Sequence, residues 1–189
     1  MLKLEARKMF RSRRNDLTEV ERSKMDDLLL IQFQGVELPF INNVLSYWPI
    51  TEHKEPNTHL FTDYLEFRYP GLQTLYPKSD IETHQMTAVM VNEDTHFVKN
   101  LYSVYEPESG DIIEPDQLDM VIVPLLAVDR KGYRVGFGKG FYDRFLANCN
   151  ENCIKVGFSY FDPIEALEDC SQFDVPLDLC ITPQAVYVF

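Results

Sequence analysis

The sequence predicts an α/β sandwich with a mostly parallel central sheet flanked by helices, and three observations predict it. Apolar strand-length runs alternate with helix-length segments along the chain. The stretch Leu118 to Val128, which holds the longest apolar run (Met120 to Val128), reads as one strand covered on both faces. The length of 189 residues, 45% of them hydrophobic, suffices for a single domain (1–189) with a proper core and is short for two.

The elements follow in order. Residues 3 to 15 read as a basic helix with Leu4 and Phe10 as apolar anchors. Thr18-Glu19-Val20-Glu21 has the spacing of a capping box, so a second helix starts there and runs to about Gln34, burying Met25, Leu28, Leu29 and stem atoms of Ile31 or Gln32; Gly35 stops it. Val44 to Trp48 reads as a strand ended by Pro49. A polar loop then leads to a helix from Thr58 or His59 through Phe67. Leu72 to Tyr76 and Met86 to Val91 are further strands, whereas Glu106 to Gln117, with two prolines and five acidic residues, reads as a loop. After Leu118 to Val128 come a glycine-rich loop, a helix from Tyr142 to about Asn148, a strand at Ile154 to Ser159, a helix around Pro163 to Glu168, and a last strand near Leu179 to Thr182.

Composition narrows the function. A formal net charge of −12 repels nucleic acid and anionic membrane over most of the surface. No apolar run approaches the roughly 20 residues of a membrane helix, and Met1 to Phe10 holds no apolar signal core. A cytoplasmic protein, here a monomer, is expected. Cys149, Cys153, Cys170 and Cys180 lack metal-knuckle or redox-motif spacing and read as reduced thiols; the four histidines show no metal-ligand repeat. Basic residues crowd the first helix. Lys8, Arg11, Arg13 and Arg14 read as a solvated face, while Lys3 and Arg7, four apart, share a side and form a cationic pair suited to an anion.

The segment from Asp129 to Arg144 carries the chemistry. Gly136, Gly138 and Gly140 alternate at the carboxyl end of the buried strand, where open α/β sheets bind ligands. Bare backbone amides there let a phosphate approach, and the helix that follows adds free N–H groups. Arg134 and Lys139 can neutralise phosphate oxygens, and Asp143 is suited to Mg²⁺ beside them. The spacing is neither a Walker loop nor the Gly-x-Gly-x-x-Gly dinucleotide fingerprint. Against a merely structural glycine hairpin stand two cations and a carboxylate in one loop.

These residues resemble the signature of the 5-formyltetrahydrofolate cyclo-ligase family: Leu118 to Asp129, the glycine loop, then Tyr142-Asp143-Arg144. Lys3-Leu-Glu-Ala-Arg7 is similar to that family's amino-terminal helix, Tyr47-Trp48-Pro49 and Glu55-Pro56-Asn57-Thr58 to its folate-contacting strand and loop, and Asp174-Val-Pro-Leu-Asp178 to its second metal segment. Met86 and Tyr102 to Pro107 resemble further pocket elements. The resemblance implies a fold like that of ribose-phosphate isomerases and coenzyme A transferases. It also implies small-molecule substrates, 5-formyltetrahydrofolate and MgATP, and formation of 5,10-methenyltetrahydrofolate through phosphorylation of the formyl oxygen and attack by N10. It assigns Arg134 and Lys139 to catalysis, and Lys3, Arg7, Arg134, Gly136, Phe137, Gly138, Lys139, Gly140, Phe141 and Tyr142 to ATP. Folate contacts fall on Arg7, Trp48, Glu55, Phe137 and Phe141, and Mg²⁺ on Asp143 and Asp178. The chain departs from the pattern in Phe141, where a tyrosine is common, in Phe137, and in a loop before Glu55 about two residues longer than usual.

Two other classes compete. A non-catalytic folate- or nucleotide-binding module would have lost the loop lysine or a metal carboxylate, and Lys139 and Asp143 are retained. A sugar-phosphate isomerase would need a carboxylate base and no ATP, leaving Lys3 and Arg7 without a purpose.

Overall fold

The computed structural model describes residues Met1–Phe189. In chain order it holds helices α1 (Lys3–Asp16) and α2 (Glu19–Gln34), strand β1 (Asn43–Leu45), helix α3 (Thr58–Arg68), then β2 (Gln73–Asp80), β3 (Gln85–Met90), β4 (Phe97–Lys99), β5 (Tyr105–Pro107), β6 (Ile112–Ile113), β7 (Met120–Ile122), β8 (Ala127–Val128) and β9 (Arg134–Val135). Helix α4 (Phe141–Leu146) and strands β10 (Ile154–Phe158), β11 (Leu179–Ile181) and β12 (Val186–Val188) complete it. Eight strands make one sheet in the order β12-β11-β10-β7-β1-β2-β3-β6. Its centre, β11-β10-β7-β1-β2, is parallel throughout, and β12, β3 and β6 join antiparallel at the edges. The expected α/β architecture is present.

Side-chain alternation divides the core. Met120 and Ile122 of β7 pack with Leu29 and Phe33 of α2 and Phe61 and Leu65 of α3 on one face. Val121 and Val123 point the other way, onto Phe145 and Leu146 of α4. Strand β7 is thus covered on both faces, but it is short: Pro124 offers no N–H to a ladder, and the chain leaves the sheet before forming the β8–β9 hairpin. The expected single strand over Leu118 to Val128 is therefore two.

Helix α1 packs Ala6 and Phe10 against Leu126, Ala127 and Val135 of that hairpin. Leu4, expected as an anchor, is 72% exposed, and Ile31 of α2 is also exposed. Thr18 caps α2 as its spacing predicts: its side chain accepts from the Glu21 N–H, and Glu21 accepts from the Thr18 N–H. No helix forms around Pro163 to Glu168. The Ile164 N–H bonds to the Val128 carbonyl, and the Leu167 N–H to the Asp129 carboxylate, so both donors are taken by the hairpin instead of a helical ladder. The acidic stretch from Glu106 to Gln117 is less irregular than expected, since it contains the end of β5 and the edge strand β6.

Candidate functional site

At the carboxyl ends of β1 and β7 lies a cleft of about 520 Å³. Its floor is the loop from Gly136 to Gly140, between β9 and α4. Gly138 and Gly140 have φ of +89° and +73°, the left-handed region, which explains why glycine stands there. Two arginines hold the bend. Arg7 Nε donates to the Gly136 carbonyl at 2.9 Å, and Arg144 Nη1 to the Lys139 carbonyl at 3.1 Å. A Cβ on Gly138 would meet Arg7 Nη2 at 3.3 Å, so the guanidinium lies flat against the loop.

Four of the charged groups around this bend form two ion pairs. Arg134 Nη2 contacts Asp143 Oδ1 at 2.9 Å, and its Nη1 donates to the Val175 carbonyl; Asp143 Oδ1 also accepts from the Val175 N–H at 3.1 Å. Both terminal nitrogens of Arg134 are thus committed, and its charge reaches the cleft from behind Asp143. Lys3 Nζ lies 2.6 Å from Asp174 Oδ1. Burial pushes the Asp174 carboxyl up, but the bonds from Lys3 and from the Ser171 N–H outweigh it and hold the carboxyl below its ordinary value. Lys139 is not in an ion pair; its Nζ stands 5.6 Å from the centre of the Tyr102 ring.

Asp178 is a correction. Its carboxylate bonds the Lys155 N–H at 2.7 Å and Lys155 Nζ at 2.8 Å, and it does not line the cleft. Asp174, four residues earlier, does. The segment was legible, but nothing in its spacing told which aspartate faces inward, because the stretch is extended coil and not a regular element.

The other end of the cleft is aromatic and holds an acid. Trp48 packs against Phe97 (4.7 Å between ring centres), His59 (4.8 Å) and Tyr105 (5.4 Å). Phe137 stacks on His53 at 5.2 Å, and Phe141 meets His84 at 5.5 Å. Phe137 and the lengthened loop, two departures noted in the sequence, therefore touch. Glu55 is 3% exposed and accepts from the Ile50 N–H at 2.7 Å. Burial pushes its carboxyl up to about 7, against the smaller opposing pull of the Ile50 N–H and Arg14. The Tyr142 hydroxyl is buried without a partner at the same cleft. The fold thus brings Lys3, Arg7, Trp48, Glu55, Arg134, Asp143 and the whole run from Gly136 to Tyr142 to one cleft.

Sequence reasoning missed Arg14. Read as part of a solvated face, it is 1% exposed, with Nη2 donating to the Leu125 carbonyl. Its signal was the seven-residue offset from Arg7, two turns along the same side of α1.

The arrangement can hold a polyphosphate at the glycine loop and a flat, polar-edged molecule between Trp48 and Glu55. The groups that could share a divalent cation are Asp143 and Asp174; the N–H of Val175, the residue after Asp174, donates to Asp143 Oδ1 and holds the two segments together. No helix is long and apolar enough to cross a membrane.

Comparison with known proteins agrees. The model of the 5-formyltetrahydrofolate cyclo-ligase family matches residues 3–183. A 5-formyltetrahydrofolate cyclo-ligase of Mycoplasma pneumoniae is 28% identical over 182 residues, covering 94% of this chain and 96% of its own. A probable one of Schizosaccharomyces pombe is 30% identical, over 81% of this chain and 82% of its own. Among solved structures, 5,10-methenyltetrahydrofolate synthetase of Aquifex aeolicus superposes with a TM-score of 0.79 at 29% identity, covering 100% of this chain and 93% of that one. The Mycoplasma pneumoniae synthetase gives 0.73 at 26% identity, over 96% and 98%.

Proposed function

The chain belongs to the 5-formyltetrahydrofolate cyclo-ligase family, and from that membership we propose that it converts 5-formyltetrahydrofolate and ATP into 5,10-methenyltetrahydrofolate, ADP and phosphate. The observation that carries this reading is a single cleft with two chemically distinct ends. A cationic, glycine-lined bend suits a triphosphate, and an aromatic wall with a buried acid suits a pterin.

The chemistry accounts for both ends. Ring closure needs N10 to attack the N5-formyl carbon and expel its oxygen, which is a poor leaving group. Transfer of the γ-phosphoryl to that oxygen makes it a good one, and closure then releases phosphate. Catalysis of this kind consists of holding two reactants in line and stabilising charge spread over the phosphoryl oxygens. Lys139, unpaired in the cleft, is suited to meet that charge, together with backbone amides of the loop. Arg7 fixes the loop and stands at its inner edge, where it can reach either substrate. Arg134 holds Asp143 and adds its charge from behind.

Mg²⁺ fits Asp143 and Asp174 in place of the pair read from the sequence. Two carboxylates, with phosphate oxygens and water completing an octahedron, are what this ion prefers beside a nucleotide. Bound there, it would neutralise phosphate oxygens. Lys3 and Arg134, each paired with one of these acids, would then be free to turn toward phosphate.

The test is a mixture of protein, 5-formyltetrahydrofolate and MgATP followed for the near-ultraviolet band of the methenyl product. Product that forms only when nucleotide and metal are both supplied supports the proposal. Folate binding with no turnover would favour a binding module instead.

A further inference from the structure

Four acids line the cleft: Glu55, Glu106, Asp143 and Asp174. The reaction proposed above uses three of them, Glu55 for the pterin edge and the two aspartates for Mg²⁺. Glu106 has no part in it, although it is only 6% exposed. Withdrawing a carboxylate from water is unfavourable, so its place in this wall calls for a reason.

The wall is the β4–β5 hairpin, and its turn is tightly built. The Asn100 side-chain oxygen accepts from the Tyr102 N–H at 2.8 Å and from the Val104 N–H at 3.1 Å. The Ser103 N–H donates to the Asn100 carbonyl at 3.0 Å, and Ser103 itself takes a φ of +61°. From there the chain alternates. Tyr102, Val104 and Glu106 line the cleft, while Tyr105 turns aside and packs on Trp48 at 5.4 Å between ring centres. The Tyr102 ring lies 5.6 Å from Lys139 Nζ. This wall therefore touches both ends of the cleft, the aromatic one through Tyr105 and the phosphate one through Tyr102.

The Glu106 carboxylate is held by one oxygen only. Oε1 accepts from the Ser79 N–H of β2 at 3.1 Å, which fixes the orientation of the group. Oε2 has no partner in the protein and is not enclosed, so it is open to the cleft.

Ring closure leaves a proton to be removed. N10 of 5-formyltetrahydrofolate carries one hydrogen, and N10 of the methenyl product carries none. The N10 lone pair forms the bond to the formyl carbon. The C–O bond breaks with its electron pair leaving on the phosphate, and the N10–H bond breaks with its pair staying on nitrogen. The lysines and arginines of the phosphate end are donors and cannot take that proton. We propose that Glu106 is the proton acceptor for N10, its Oε1 fixed by β2 and its Oε2 free to receive the hydrogen, which then passes to water. This rests on the cyclo-ligase reading above and adds one catalytic residue to it.

Glu106→Gln tests it, since the amide oxygen can still accept from the Ser79 N–H but the group no longer serves as a base. The kcat for the methenyl product should fall by about a hundredfold or more, with both KM values changed by less than about threefold. Trp48 is the sole tryptophan and lines the cleft, so its fluorescence follows folate binding without nucleotide. That titration should give an affinity within about threefold of the unaltered protein, which also shows that the variant is folded. Phosphoryl transfer precedes the N10 step, so in a single turnover of the variant ADP should appear well ahead of the methenyl band, whereas the two should rise together in the unaltered protein. ADP and methenyl product slowed equally would overturn the proposal, because the defect would then lie at or before phosphoryl transfer. So would near-full turnover, or a loss of folate affinity of tenfold or more, which would make Glu106 a binding or structural group. If the unaltered protein forms no methenyl product at all, the cyclo-ligase reading itself fails, which is a separate outcome.

Discussion

Lys139 and Asp174 owe their proposed roles to what each does in the cleft. Lys139 Nζ rests near the Tyr102 ring without a carboxylate partner, so its charge is available to an incoming phosphate at little exchange cost. Replacing Lys139 with alanine should lower kcat by about a hundredfold or more, with the melting temperature nearly unchanged; a variant with near-full turnover would remove the lysine from the mechanism. Asp174 shares the cleft, while Asp178 is turned to Lys155 beside β10. Asp174→Asn should raise the Mg²⁺ concentration needed for half-maximal activity by about tenfold or more, whereas Asp178→Asn should shift it by less than about threefold. The reverse ranking would restore Asp178 as the metal ligand. Much of this site was legible because its residues cluster in sequence: the glycines, Lys139 and Asp143 belong to one loop. Asp174 and Arg14 were not, since the facing of a coil residue and the burial of a helical arginine are decided by tertiary packing.

The glycine loop works as a unit with α1, and its shape is where backbone rules matter. Gly138 combines φ of +89° with a guanidinium 3.3 Å from where a Cβ would lie. Alanine there meets a left-handed penalty of roughly 1–2 kcal/mol and pushes on Arg7, whose Nε holds the Gly136 carbonyl. Gly138→Ala should therefore raise the KM for ATP by about tenfold with a smaller effect on the KM for folate. Equal changes in both constants would mean that the loop does not serve the nucleotide. At this level the sequence was a good guide where a local signal exists. Thr18 and Glu21 form the capping box that their spacing announced, and Gly35 stops α2. It misled where two signals competed. The apolar run through Val128 looked like one strand although Pro124 divides it, and the segment after Pro163 looked helical although Val128 and Asp129 of the hairpin take its N–H donors.

Taken together, the molecule keeps a buried acid at the heart of a cleft that must also receive anionic substrates, and that arrangement has a measurable cost. Glu55 has its carboxyl pushed up to about 7 in the folded chain, against 4.5 for the ordinary group. A raised folded value means that protonation favours the native state. The stabilisation is fully present below about pH 4.5 and is lost as pH rises through about 7. Asp26, also raised by burial, acts in the same direction. Asp174 acts oppositely, since its lowered carboxyl stabilises the fold above its ordinary 3.8 and that contribution fades only in stronger acid. Between mildly alkaline and mildly acidic pH, then, the Glu55 effect stands clear of the Asp174 one. Going from about pH 7.5 to about pH 5.5, Glu55 alone should add about 2 kcal/mol of stability, or roughly 5 °C in melting temperature for a chain of this size. Glu55→Gln has no such proton to bind, so its melting temperature should gain about that much less over the same interval. Thermal melts of both proteins, free of folate and nucleotide, would settle the point. Parallel curves would show that Glu55 is ionised throughout and that burial does not set its charge.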